Sequence, residues 1–240
     1  MNKISIIIPI LNEAETIEHL LNHVLENASK KTIAELIIVD GGSIDGSQKI
    51  VRSFFQKNSN LSFQQKFCFI ECSKGRALQM NTGSEIATGT ILYFLHADSF
   101  PPKNFDQYII NEVEKGHLAG CFRLQFSHNH WWLRLASWLT QFHWRACRGG
   151  DQSQFITKKL FDEIGGFDEN YAIYEDNILI NELYKRKQFK VINKKLITSA
   201  RRYETHGIWT LQYHFWAIYV KKWFGASAEE LHNYYLKYIA

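Results

Sequence analysis

Short apolar runs alternate with amphipathic stretches through the first half of the chain. Ile4 to Ile8, Leu36 to Val39, Phe67 to Ile70 and Ile91 to Leu95 are rich in Ile, Val, Leu and Phe without strict alternation. That is the pattern of strands buried on both faces. Between the first two, Ile17, Leu20, Leu21, Val24 and Leu25 recur at helical spacing, and Asn12 with Glu15 three residues on predicts a capping box at the helix start. Ile50, Val51, Phe54 and Phe55 mark a second helix, and Arg76 to Ala87 a third. This β-α-β-α-β-α-β order predicts an α/β fold, a mostly parallel sheet with right-handed crossovers and helices on both faces.

The second half is less regular. Leu118 to Phe126 reads as a strand, Trp131, Leu135, Trp138 and Phe142 as a helical stripe, and Glu175-Asp176 as the opening of a helix running to about Lys187. Near the end, Trp209, Tyr213, Trp216, Val220 and Trp223 follow one another at spacings of 4, 3, 4 and 3, the signature of an aromatic helical face.

Composition narrows the class. With 240 residues, 45% apolar and 22% charged, and only 3 Pro and 14 Gly, the chain is an ordinary globular protein with no internal linker. Cys68, Cys72, Cys121 and Cys147 lack paired C-x-x-C spacing and are too sparse for a disulfide scaffold, which favours a reducing, cytoplasmic setting. The start Met1-Asn2-Lys3-Ile4-Ser5 has no signal-peptide features. The longest stretch free of Asp, Glu, Lys and Arg, Thr205 to Val220, is too short to span a bilayer. Net charge is +4, yet residues 1–182 hold 17 Lys+Arg against 21 Asp+Glu, and residues 183–240 hold 11 against 3. Within this basic last quarter, Tyr203 to Tyr238 also carries 11 of the 35 aromatic residues, which suits contact with phosphates or an anionic surface.

Ligands of parallel sheets bind beyond the carboxyl ends of the strands, so the chemistry is sought in Pro9 to Glu13, Asp40 to Asp45, Cys72 to Arg76 and His96 to Asp98. There is no G-x-x-x-x-G-K-[ST] loop, and Pro9-Ile10-Leu11-Asn12-Glu13 replaces a G-x-G-x-x-G turn after the first strand. ATPase and dinucleotide readings therefore lose their footing. What remains is a nucleotide site built from acids and amides at strand ends.

Six segments occur in a telling order: Ile8-Pro9-Ile10-Leu11-Asn12-Glu13, Val39-Asp40-Gly41-Gly42-Ser43-Ile44-Asp45-Gly46, Gly75 to Gly83, His96-Ala97-Asp98, Gly165-Gly166-Phe167 and Glu175-Asp176. Together they resemble the inverting family 2 glycosyltransferases, which have the GT-A fold, over residues 3–205. His96-Ala97-Asp98-Ser99 with Arg201-Arg202-Tyr203 resembles the radical-SAM/selenodomain-associated transferase 2 subgroup. The resemblance implies a GT-A domain over residues 1–205 and a helical, aromatic and basic extension over 206–240 packed on it.

It also implies roles. Pro9, Glu13 and Asp40 would hold the base and ribose of a nucleoside-diphosphate sugar, most simply UDP-linked, with Asn12, Gly42, Ser43 and Asp45 in the same loops. A carboxylate at a strand end can accept a uracil N–H or a ribose hydroxyl; Asn12 and Asp45 read equally well as helix or turn caps. Gly75 and Arg76 open a helix whose amino-terminal N–H groups suit a diphosphate, with Asn81 further along it. His96-Ala97-Asp98 stands at the family's D-x-D position, where Asp98 would ligate Mg²⁺ or Mn²⁺. His96 departs from the general pattern: it either joins Asp98 on the metal, suiting Mn²⁺, or meets ribose or phosphate instead. Asp176 would be the catalytic base, with Glu175 tuning it. Asp151 and Gln152 would lie on the acceptor side, and Arg201 and Arg202 would contact the diphosphate.

The carboxyl-terminal stripe suits two environments. One is packing against the catalytic domain or a partner subunit of a homo-oligomer; the other is an anionic inner-membrane face near a lipid-linked hydroxyl acceptor, with Lys221 and Lys222 beside the rings. No recognisable RNA or DNA module accompanies it, so nucleic acid is not an expected partner. Two competing functions are a nucleotide-sugar-binding protein without turnover, suggested by His96, and a sugar-nucleotide pyrophosphorylase, disfavoured by the missing glycine-rich signature.

Overall fold

The four apolar runs of the first half become β1 (Ile4–Ile10), β2 (Ile33–Asp40), β3 (Lys66–Glu71) and β4 (Ile91–Phe94) in the computed structural model, which describes residues 2–29, 31–58, 66–149 and 152–239. Between them lie α1 (Ile17–Asn27), α2 (Ser47–Asn58) and α3 (Arg76–Ile86). The chain continues through β5 (Ser99–Phe100), α4 (Phe105–Glu114), β6 (Ala119–Phe126), α5 (Trp131–Leu139), a 3-10 turn at Arg145–Cys147, β7 (Gln154–Thr157) and α6 (Lys158–Ile164). It ends with α7 (Glu175–Lys185), β8 (Phe189–Thr198), α8 (Arg201–His206), α9 (Ile208–Trp223) and α10 (Ala228–Tyr238).

The strands form one sheet in the order β3-β2-β1-β4-β7-β6-β8-β5. β1 to β4 are parallel, as their crossover helices require. Beyond β4 the sheet is mixed rather than mostly parallel: β7 runs antiparallel to both β4 and β6, β6 pairs parallel with β8, and β8 antiparallel with β5. The reversal has a use. An antiparallel strand begins at the edge where its parallel neighbours end, so Ser153 and Gln154, at the start of β7, join the carboxyl ends of β1, β2 and β4.

Alternation along β1 divides the core. Ile4, Ile6, Ile8 and Ile10 pack with α1, Leu36, Ile38 and Tyr93, whereas Ile7 packs on the other face with Ile37, Val39, Met80 and Phe161. Helix α3 lies close to the sheet because position 83 is glycine: a Cβ there would come within 2.5 Å of Ile7 Cγ2. Leu211, Ile218, Leu231 and Ile239 carry α9 and α10 into the first of these clusters.

Three local expectations change. Helix α1 starts at Ile17 with Thr16 at the cap position and no side-chain capping bond, so Asn12 and Glu15 do not form a capping box. Phe142 lies beyond α5 and stacks on Trp144 with centroids 4.8 Å apart. Helix α7 stops at Lys185, before Lys187 adopts a left-handed φ of 56°.

Candidate functional site

Parallel register aligns Ile10 with Asp40 and Asp40 with Glu71, so the loops that follow open at one sheet edge. Gln79, buried on α3, donates from Nε2 to the carbonyls of Ile10 and Val39, each at 2.8 Å. One amide thereby ties the ends of two strands together. Asp40 is fully buried and its carboxylate accepts from Gly42 N (3.1 Å), Ser43 N (3.0 Å), Ser43 Oγ and Gln48 Nε2 (2.7 Å). About four lone-pair sites exist on a carboxylate, so Asp40 acts here as the strut of the Gly41-Gly42-Ser43 turn, in which Gly42 takes φ +93°.

The loops after β1 and β2 are knitted to one another. Asn12, in the left-handed region at φ 57°, donates its N–H to Ser43 Oγ and accepts from Ile44 N, both at 2.9 Å. Glu13 N donates to Ser47 Oγ and Ala14 N to Asp45 Oδ2, both at 2.9 Å. Asp45 also accepts from Ser47 N (3.0 Å) and Ser47 Oγ (2.6 Å) at the start of α2, the capping role that its residue type allows. Burial acts upward on its carboxyl, but the bonds from Ser47 and Ala14 outweigh it and hold the pKa below the usual range. Pro9 sits half-buried in β1 opposite Val39.

At the end of β4, His96 N donates to Ser153 Oγ (3.2 Å), and Ala97 is buried. The carbonyl of Asp98 accepts from Ser199 N (3.1 Å), and Ser199 Oγ in turn accepts from Arg201 N (3.1 Å). Arg201 Nη2 reaches Glu13 Oε2 at 3.5 Å, which brings the basic segment back to the first loop. Arg202 turns away, donating to Tyr235 Oη of α10 and lying over that ring. Among the described residues no three His, Cys, Asp or Glu side chains cluster to hold a metal on their own. Half-buried His96 and Asp98 fit a metal that draws most of its oxygen ligands from a diphosphate and water, as Mg²⁺ commonly does.

Helix α7 opens with the acid pair. Tyr174, just before it, has φ 75°, a left-handed conformation costly for a bulky residue. Its ring packs on Tyr219 of α9 at 5.4 Å. Glu175 is fully buried and Asp176 nearly so, and both face Arg76, the first residue of α3: Nε donates to Glu175 Oε1, and Nη2 lies 2.8 Å from Asp176 Oδ2. Glu175 Oε2 has no hydrogen-bond partner. Burial raises the Glu175 pKa above its ordinary value, and the Asp176 charge adds to it, against the pull of Arg76. The guanidinium thus serves the acids, while the amino-terminal amides of α3 and α7 remain pointed at the same edge.

Of the two residues expected on the acceptor side, Asp151 lies outside the described residues. Gln152 is buried; with its amide oriented to donate to Cys147 O (3.2 Å) it accepts from Arg148 Nη1 (3.0 Å). Asn81 is committed to the Gly165-Gly166-Phe167 turn, accepting from Phe167 N and donating to Phe167 O, each at 2.9 Å. Three residues that the sequence did not single out join the edge: Ser153, Gln48, and Arg145, which holds Asn177 Oδ1 at 2.9 Å and Asn181 Oδ1 at 2.5 Å beside the acids. Ser153 adjoins Gln152 in sequence, the one available hint. Buried Gln154 keeps an unpartnered Oε1 at the same strand end.

The model of the family described as "Glycosyl transferase family 2" matches residues 5–168, well over half of the chain. The chain belongs to that family. Glycosyltransferase AglE of Haloferax volcanii is 38% identical over 98 residues, covering 41% of this chain and 31% of its own. Probable glycosyltransferase YdaM of Bacillus subtilis is 25% identical over 239 residues, covering 90% and 54%. The family 2 chain described here therefore spans about a third to a half of the length of these two relatives. Among solved structures, mannosyltransferase PcManGT from Pyrobaculum calidifontis, in complex with GDP-Man and Mn²⁺, aligns with a TM-score of 0.69 at 18% identity, covering 98% of this chain and 70% of that one. S. aureus TarS 1–349 in complex with UDP gives 0.64 at 16% identity, covering 82% and 60%. The shared fold is the GT-A fold, an α/β arrangement with a curled mixed sheet flanked by helices.

Proposed function

We propose that this family 2 chain transfers a sugar from a nucleoside diphosphate, UDP in the simplest case, to an acceptor hydroxyl by a single inverting displacement. Residues 1–205 would form the catalytic unit and residues 206–240 its extension. The observation that carries this reading is the Arg76–Glu175–Asp176 constellation at the sheet edge where the two knitted loops and the His96-Ala97-Asp98 turn also end. It joins a nucleotide-binding edge to a carboxylate that can take a proton.

In this mechanism Asp176 removes the acceptor's hydroxyl proton as the oxygen attacks the anomeric carbon from the face opposite the leaving diphosphate. Glu175, whose pKa burial raises above its ordinary value, lies beside that base and shares Arg76 with it. Arg76 orients both acids, and Arg201, tethered to the first loop through Glu13, faces the charge that builds on the diphosphate. Mg²⁺ or Mn²⁺ held by Asp98, with His96 as second ligand, would supply further neutralisation of that charge. Asp40 contributes by fixing the turn that receives the nucleoside. The ligands named for PcManGT and TarS, GDP-Man and UDP, are a nucleoside-diphosphate sugar and a nucleoside diphosphate, which supports the donor class and leaves the base open. Within the family, the subgroup resemblance rests on His96 to Ser99 and Arg201 to Tyr203.

A thermal-shift panel of UDP-, GDP- and dTDP-sugars with and without Mn²⁺ tests the donor, since a ligand that binds only the native state raises apparent stability. Stabilisation by one donor class is the expected result. No stabilisation by any would overturn the reading, and stabilisation without transfer to any acceptor would favour a binding protein. Formation of a sugar nucleotide from sugar phosphate and NTP would mark a pyrophosphorylase. Recovery of product with the donor's anomeric configuration would sink the single displacement.

A further inference from the structure

The aromatic stripe of α9 does not serve as its packing face. Leu211 and Ile218 turn inward, while Trp209, Tyr213, Trp216, Val220 and Trp223 are all about half exposed or more, and Trp223 and Phe224 reach 84% and 81%. Helix α5 repeats the arrangement: Leu133 is buried, and Trp131, Leu135 and Trp138 share the outer face with exposed Arg134. Burial of such rings is the rule in a domain of this size, so a concentration of exposed ones demands an occupant.

The two outer faces are continuous. Trp131 and Trp132 both pack against Trp209, with centroids 5.7 and 5.4 Å apart, Trp132 also meets Trp216 at 5.7 Å, and Trp132 Nε1 donates to Gln212 Oε1 at 3.0 Å. The charge carried by these two helical segments themselves has one sign, although Glu230 of α10 lies within electrostatic reach of Lys221. Residues 127–149 and 205–228 contain no Asp or Glu, yet carry Arg134, Arg145, Arg148, Lys221 and Lys222. Arg148 is buried and Lys222 donates to Tyr171 Oη, which leaves Arg134 and Lys221 exposed beside the rings.

From this pairing of exposed indole rings with acid-free basic charge on two joined helices, we infer that the α5–α9 face is a docking surface for an anionic lipid bilayer. Tryptophan suits the headgroup level, where its ring meets acyl chains and its N–H meets water. Basic residues at the same level are drawn to anionic lipid. A second copy of the chain would set Arg134 and Lys221 against their own likenesses, so charge disfavours self-association through this face. The platform also adjoins the acid pair: Tyr219 of α9 packs on Tyr174 and donates to Asn177 Oδ1 at 3.3 Å. If the transfer reading holds, a lipid-borne hydroxyl would reach Asp176 from the bilayer plane; that step rests on the transfer reading, whereas docking itself does not.

The test is co-sedimentation of the full chain with phosphatidylcholine vesicles and with vesicles of equal parts phosphatidylcholine and phosphatidylglycerol, with indole fluorescence as a second readout. Wild-type protein should partition onto the anionic vesicles at least ~10-fold better than onto neutral ones and shift its emission to the blue, with binding weakened by salt. The double variant Trp223→Ser/Phe224→Ser removes rings that pack on little else, so it should fold, keep its donor-induced thermal shift and lose at least ~10-fold in partition. Arg134→Glu/Lys221→Glu should lose only the anionic preference. Absence of wild-type binding to anionic vesicles would overturn the proposal, as would equal binding by the Trp223 variant. So would a stable dimer in solution that the same variant dissociates. Vesicle binding without any donor effect would sink the transfer reading while leaving docking intact.

Discussion

The carboxylates of the nucleotide-side loops and those of helix α7 live under opposite rules. Asp40, buried as deeply as Glu175, has its oxygens filled by four groups of its own loop and α2. Glu175 and Asp176 both face the Arg76 guanidinium, and one oxygen of Glu175 has no hydrogen-bond partner. Glu35, at the opposite end of the sheet, belongs with Asp40: Ser5 Oγ, Thr88 N, Thr88 Oγ1 and Gly89 N all donate to it. A saturated carboxylate stabilises structure, whereas one with an unfilled buried oxygen carries a desolvation cost.

The sharpest way to break this contrast is Asp176→Asn. It should lower turnover by about 10²–10⁴-fold, the range for loss of a general base, while the donor-induced thermal shift stays as in the wild type. Unchanged turnover would remove Asp176 from the base role.

Arg76→Met comes next, because it removes the guanidinium that two buried acids face. Breaking a fully buried pair costs about 3–5 kcal/mol; with the Arg76 side chain 38% exposed, solvent screening brings the expectation to about 2 kcal/mol. Urea unfolding should show this deficit at neutral pH and show it shrink in acid, where the carboxyls lose their charge.

Asp40→Asn probes the saturated side. An amide offers one acceptor oxygen where the turn uses two, so stability should fall by about 1–2 kcal/mol and donor binding should weaken with it. Turnover measured at saturating donor should change less than in Asp176→Asn.

The smallest effects separate the two classes by pH. The folded-state pKa of Glu175 lies above the ordinary 4.5. Its contribution is therefore fully present below about pH 4.5 and is lost as pH rises through the raised value. Stability of Glu175→Gln relative to wild type should accordingly increase across that window. Glu35 has the opposite sign. Burial pushes its pKa up, but bonds from Ser5, Thr88 and Gly89 prevail and hold it below 4.5. Its contribution is present above pH 4.5 and fades as pH falls through the lowered value. Glu35→Gln should thus lose about 1 kcal/mol at neutral pH, less in acid, with no effect on transfer.

The first four strands and three helices were readable because an apolar run needs no partner to declare itself; β1, β2 and β4 are buried on both faces as expected, whereas β3, at the edge of the sheet, keeps Phe67 to Ile70 only half-buried. In the second half β6, α5, α7 and α9 were legible as elements, but the reversal at β7 was not, since it depends on which strand β7 meets rather than on its own residues. Strand ends pointed to one sheet edge, where the structure does bring these residues together, but not to how the residues pair. Arg76 and Glu175 are 99 positions apart, and nothing local in either distinguishes a guanidinium aimed at a diphosphate from one aimed at two acids. Asp45 shows the converse: its place before Ser47 predicts a cap, and a cap is what it forms. The α9 stripe declared its period in sequence, while its outward orientation emerged only once Leu211 and Ile218 claimed the inner face.

Gln79 has a consequence for recognition. Because its single amide group holds the ends of β1 and β2 at a fixed separation, the mouth between their loops is set before any ligand arrives. On the proposed reading, a donor entering that mouth would meet a rigid receptor, and its affinity would not be reduced by the entropy of ordering two loose segments. Replacing the amide would leave every ligand-facing group in place and still loosen the grip on all donors alike.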